Sequence, residues 1–191
     1  KGRFPGHVTA SFEVSTENAR ILSIEAGIKI NVVPGKAHAT ITGLTEEEVR
    51  PMAEGVTKET GVQFELQAEE DAIVITAVGE GAHASTPEEG KNALASLLLL
   101  LDRLPFASCG QTKLIHSLIE CFPWNDTEGK ALGVAMQAEG SGALSLAFTM
   151  LTMTETRMEA YFDGRFPIGG NDDNLLKPVE AKLASHGMKL E

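Results

Sequence analysis

Three polar residues of the 191-residue chain stand where their chemistry would be free to meet a ligand. His83 lies in VGEGAHASTPEEG, residues 78 to 90, and Gly79, Gly81, Ala82 and Ala84 leave little bulk to shield its ring. Asn31 lies in IKINVV and Arg165 in YFDGRF. If both stretches are strands, Asn31 shares a face with Lys29, opposite Ile28, Ile30 and Val32. Arg165 then shares a face with Glu159, Tyr161 and Asp163, so both point away from the core. An arginine grips a carboxylate with two parallel hydrogen bonds, an asparagine adds a neutral donor, and a histidine can stabilise a developing oxyanion. Together they suit a peptide substrate, although spacing alone equally describes a solvated sheet face and a surface-loop histidine.

Other catalytic patterns are absent. His7, His38, His83, His116 and His186 show no H-x-D, H-x-x-x-H or H-E-x-x-H spacing, and neither Cys109 nor Cys121 has a C-x-x-C partner, so no metal site is read in this chain. The acidic runs at 46–48, 69–71 and 88–89 sit at helix starts or turns, where the helix dipole or solvent favours carboxylates. G-x-S-x-G, P-loop and G-x-G-x-x-G patterns are missing. A formal charge of −11 repels nucleic acid and anionic membrane. The longest apolar stretch, ALASLLLLL at 93–101, falls well short of the roughly 20 residues a membrane span needs. With no apolar signal core at the N-terminus and two cysteines only, a reduced, cytoplasmic setting is expected. A start on KGRFP, without methionine, points to a piece of a longer protein.

The elements that must position these residues follow from periodicity and punctuation. IKINVVPGKAHATITG alternates about Pro34-Gly35 and predicts a hairpin over 28–43. Thr45 with Glu48 forms a capping box for a helix to about Thr60, stopped by Gly61. GVQFELQ and DAIVITAVG predict two strands. Thr86, Pro87 and Glu89 predict a sharp turn into a leucine-rich helix ending near Leu104-Pro105, which places His83 on a strand-to-helix connection. The first half is thus expected as ββαββα. Residues 105–142 read as a connection with one helical stretch, Thr112 to Cys121. A second hairpin follows, with Leu144, Leu146, Phe148 and Met150 on one face and Met158, Ala160, Phe162 and Phe166 on one face of its return strand; NDDN then opens a last helix ended by Gly187. Gly43 and Pro51 recur as Gly170 and Pro178 at equal separation, so the expected fold is α+β, an antiparallel sheet with helices on one face, built from two ferredoxin-like ββα units: 1–104 and 143–191, joined by 105–142.

INVVPGKAHATITG, GEGAHASTPEEGKNAL and YFDGRFPIG, in this order, resemble the lid domain of bacterial dipeptidases of the carnosinase or Xaa-His type, dinuclear metallopeptidases related to aminoacylase and carboxypeptidase G. The likeness runs along nearly the whole chain, and AHASTPEEG before an Asn-Ala helix is its most specific part. In that family the lid is inserted in a separate catalytic domain and resembles two fused lid units. The resemblance implies that His83 polarises the scissile carbonyl and stabilises the tetrahedral intermediate. Asn31 and Arg165 would hold the backbone and terminal carboxylate of a dipeptide or short peptide. It also implies two divalent metals, zinc or manganese, held by the catalytic domain rather than by this chain, which alone would be inert. Gly35, where the family often has aspartate, and Gly164, where a bulky apolar residue is common, depart from the pattern. Two other expectations compete: a non-catalytic ferredoxin-like module for dimerisation or small-ligand binding, and the lid of a related deacylase or desuccinylase.

Overall fold

The computed structural model describes residues 1–191. The elements in chain order are β1 (Gly2–Ser11), β2 (Arg20–Ala26), β3 (Val32–Val33), β4 (Lys36–Thr42), α1 (Glu46–Thr60), β5 (Gln63–Ala68), β6 (Ile73–Val78) and β7 (Ala82–His83). They continue as α2 (Ala93–Arg103), α3 (Gly110–Cys121), β8 (Gln137–Ala138), β9 (Gly142–Ala143), β10 (Ser145–Met153), β11 (Arg157–Phe166), α4 (Lys177–Ser185) and β12 (Lys189–Leu190). Eight strands form one antiparallel sheet in the order β12-β1-β11-β10-β2-β4-β6-β5. The fold is α+β, as the periodicity implies: one core of 39 buried residues takes in residues from all four helices and the inward face of the strands. No helix is long and apolar enough to cross a membrane.

Local chemistry explains most of the helices. In α1 the Glu48 N–H donates to Thr45 Oγ1 (3.2 Å) and the Thr45 N–H to Glu48 Oε1 (3.0 Å), while Gly61, at φ 80°, ends the helix in the left-handed region. The start of α2 differs from the expectation. Thr86 makes no side-chain cap, and Pro87–Glu89 forms a single 3-10 turn. The cap is Asn92, whose Oδ1 accepts from the Ala95 N–H (3.0 Å) and whose Nδ2 donates to the Phe148 carbonyl (2.8 Å) on β10. One carboxamide therefore starts the helix and ties the preceding loop to the sheet.

The hairpin expected over 28–43 does not form. β3 pairs with β7, whereas β4 lies between β2 and β6. The carbonyls of the Pro34-Gly35 turn face a distant segment: Gly35 accepts from the Gly79 N–H (2.8 Å) and Pro34 from the Ala93 N–H (3.0 Å). An alternating pattern reads the same whether its partner is adjacent or remote, and here it is remote. Residues 27–31 are a turn rather than a strand, and Ile28 is 86% exposed.

Two long strands, β1 and β2, were not expected, nor were the two-residue strands β7, β8, β9 and β12. Gly2, Pro5 and Gly6 interrupt any strand signal in β1, yet it pairs with β11 over its whole length. The rings of Phe166 and Phe162 lie where side chains at 2 and 6 would stand, so only glycine fits beneath them. Although first in sequence, β1 joins the half of the sheet built by β10, β11 and β12. The inward face of β10 also differs from strict alternation: a register shift between Phe148 and Met150 hands the core from Leu146 and Phe148 to Leu151 and Met153, leaving Met150 on the other side.

Candidate functional site

His83 is presented by the short ribbon β3–β7, in which Val32 faces His83 and Val33 faces Ala82. One step further the Ala84 N–H donates to the Asn31 carbonyl (2.9 Å), so Asn31 and His83 are held on neighbouring positions of one ribbon. The ribbon packs against the side of β10 that Ala147 presents, between the core residues Leu146 and Phe148. Val33 and Ala84 bury themselves against Ala147 of β10, with Ala82 packed alongside, in a cluster separate from the main core. Ser145 Oγ reaches the Ala84 carbonyl at 3.5 Å. Across the ladder, Ala147 is the partner of Asp163 and Ser145 the partner of Arg165. Arg165 is thus presented by β11 beside Ser145 and Ala147, and Asn31 and His83 by a ribbon whose Val33 and Ala84 rest on that same stretch of β10.

His83 is exposed, and its ring has a defined orientation. Nδ1 lies 3.0 Å from the Ser85 N–H and 2.7 Å from Ser85 Oγ. A backbone N–H can only donate, so Nδ1 holds the lone pair and the neutral imidazole carries its proton on Nε2. No residue of this chain bonds Nε2. The histidine therefore offers a free N–H, the tautomer that hydrogen-bonds an oxyanion or a polarised carbonyl. Ser85 went unnoticed in the sequence, although an H-x-S spacing with small neighbours is the signal for a side chain reaching back two residues.

Arg165 is bound more firmly than its sequence context implies. Its Nε (3.3 Å) and Nη2 (3.0 Å) both donate to Oδ2 of Asp163, whose side chain is 0% exposed, while Arg165 keeps 21% exposure. Arg3 Nε donates to the other oxygen, Oδ1, at 3.1 Å. Gly164 is buried in an unbroken ladder between Phe4 and Leu146, which fixes the strand on both sides of this position. Further along the same face His7 stacks on Tyr161 (4.5 Å between ring centroids), and both bond Glu159 Oε1, at 2.6 and 3.2 Å. Burial, then the Glu159 carboxylate, holds the Tyr161 hydroxyl above its ordinary range, so it remains a donor.

No three His, Cys, Asp or Glu side chains come together in the arrangement of a metal site. A guanidinium and an exposed imidazole with its Nδ1 engaged do not suit a divalent pair, and no step is assigned to a metal on these residues. A cavity of about 300 Å³ lies behind the loop, lined by residues including Pro87, Lys91, Ser96, Trp124 and Asp126, and none of the three candidates lines it.

This is an α+β sheet-and-helix domain that carries an exposed histidine and an asparagine on one short ribbon and an aspartate-buttressed arginine on β11. No protein-family model matches it. A Beta-Ala-Xaa dipeptidase of Lactobacillus delbrueckii subsp. lactis is 34% identical over 164 residues, which cover 84% of this chain and 34% of the relative. A putative dipeptidase, YtjP, of Bacillus subtilis (strain 168) is 28% identical over 128 residues, 67% of this chain and 27% of the relative. Among solved structures, aminoacylhistidine dipeptidase from Vibrio alginolyticus superposes over 100% of this chain and 43% of its own, at a TM-score of 0.42 and 14% identity. The chain spans about a third or less of the length of the curated relatives it matches. Its homologues are dipeptidases, and it corresponds to one segment of each.

Proposed function

We propose that this chain is the lid and substrate-positioning domain of a metal-dependent dipeptidase, and that it completes an active site whose metals and general base belong to a separate catalytic domain. The observation that carries the reading is the seating of the His83 ribbon on the outer face of β10, beside the ladder that presents Arg165. In the intact enzyme two divalent ions, zinc or manganese, would activate water and clamp the oxyanion, and the residues of this chain would act around that chemistry. His83 Nε2–H donates to the scissile carbonyl oxygen and strengthens that bond as negative charge develops. Asn31 binds the substrate backbone as a neutral donor. Arg165, already oriented by Asp163, offers its remaining N–H groups to the terminal carboxylate of a dipeptide or short peptide.

The test is His83→Ala in the complete enzyme. Loss of one preorganised oxyanion donor lowers kcat by about 10² to 10³, roughly 2.7 to 4 kcal/mol, with KM changed much less. A kcat within a few-fold of the parent returns His83 to the role of a loop residue. Stability should barely move, since the side chain is exposed.

A further inference from the structure

Arg3 and Arg165 are directly paired across β1 and β11, on the face that carries the candidate site. Two like charges facing each other in an antiparallel ladder destabilise it unless an anion lies between them. Asp163 is that anion, with one oxygen on each guanidinium and no exposure to solvent. The charges do not cancel: two arginines against one aspartate leave one positive charge. Arg3 keeps 47% of its side chain exposed, and only its Nε is bonded, so its terminal nitrogens are free. The neighbouring outward residues on this stretch, Pro5 and Ser145, are neutral, and the next carboxylate along β11, Glu159, is engaged by His7 and Tyr161.

We infer that Arg3 is a second substrate-positioning residue, and that Arg3 and Arg165, held apart by Asp163, form a two-arginine receptor for one free carboxylate, the C-terminus of the peptide substrate. Asp163 aligns both guanidinium groups without neutralising both, and an incoming carboxylate supplies the missing charge in the bidentate geometry that guanidinium favours. The inference rests on the lid reading and adds a residue to it.

The experiment measures kcat/KM of the complete enzyme for a dipeptide and for its C-terminal amide, with the parent, Arg3→Ala, Arg3→Lys and Arg165→Ala. Arg3→Ala is expected to lose about tenfold or more on the dipeptide, the scale of one charged hydrogen bond, and twofold or less on the amide. Arg3→Lys falls between parent and alanine on the dipeptide. If Arg3→Ala does not fold, the lysine variant decides alone by the same contrast. Equal losses on dipeptide and amide overturn the role of Arg3. If Arg165→Ala loses selectively on the dipeptide while Arg3 variants do not, Arg3 fails and the lid reading stands. If both arginines lose equally on the two substrates and His83→Ala is silent, the lid reading itself fails.

Discussion

The imidazole of His83 owes its tautomer to Ser85, two residues along. Serine supplies both contacts to Nδ1, and only the hydroxyl can be removed by substitution, because the backbone N–H remains. Ser85→Ala in the complete enzyme should therefore lower kcat by about 2- to 10-fold, the worth of one neutral hydrogen bond. The loss should vanish in a His83→Ala background, since the two groups would act through one donor. A full additional loss in the double variant would mean that Ser85 serves the loop and not the ring. The exposure of His83 and the outward face of Arg165 could be read from small neighbours and strand alternation, whereas Asn31 was expected on a strand and lies in a turn. Asp163 was legible as a face neighbour of Arg165, but its burial beside a second arginine was not, because Arg3 reaches it only through the pairing of β1 with β11.

At the scale of elements, the helix layer is tied together by a chain of polar contacts on its outer side. His116 of α3 meets Asp102 of α2 at 3.2 Å through Nδ1 and Glu120 at 3.1 Å through Nε2, and His186 at the end of α4 reaches Glu120 at 3.4 Å and Ser117 at 2.9 Å. The hydrogen bond and charge of Asp102 raise the His116 pKa above its ordinary 6.5, with burial opposing and Glu120 adding to the effect. A raised folded-state pKa gives stability that is complete below the unfolded value and lost as pH rises through the folded one. The melting temperature of the parent should thus fall between about pH 5.5 and 8 by up to about 2 °C more than that of Asp102→Asn, a small effect because His116 is exposed. Identical pH dependence in the two proteins would show that the contact contributes nothing. These pairings lay beyond sequence reading, as did the β3–β7 ribbon, because both join segments far apart in the chain. What could be read were the elements whose cause is local: the Thr45–Glu48 box, the leucine face of α2, the β10–β11 hairpin and the acidic start of the last helix. At Pro34-Gly35 a local signal gave way to a distant one, whereas at Thr86 it gave way to another local one, the Asn92 cap, which a contact to Phe148 then ties to the sheet.

Across the whole molecule, the two halves of the sheet meet at a narrow seam, since β10 pairs with β2 only from Leu151 to Met153 against Ala26 to Ile24. Backbone pairing alone would let them separate. The core does not divide there: α2 and α3 pack in the same cluster as Ile21, Ile24, Ile41 and Ile75 from one half and Phe148, Ala160 and Phe162 from the other. Gln111 of α3 adds a buried carboxamide whose Nε2 donates to the carbonyls of Ile21 and Thr154 at 3.1 Å each, one on each side of the seam. Opening the halves would expose that apolar surface and strand those groups, which costs more than the few ladder bonds at the seam. The chain should consequently unfold as one cooperative unit. Two built-in probes test this at separate places. Burial pushes the Cys121 thiol up to about 11, so it should resist alkylation at neutral pH until α3 leaves the core. Trp124, the sole tryptophan, lines the cavity between the His83 loop and β10 and reports on that junction by fluorescence. Denaturant midpoints for Trp124 fluorescence, Cys121 labelling and far-ultraviolet dichroism should coincide. A fluorescence transition that precedes the other two would mean that the His83 loop and the seam open as a separate step, and that the sheet half built by β2, β4, β5 and β6 and the half built by β1, β10, β11 and β12 behave as two folding units.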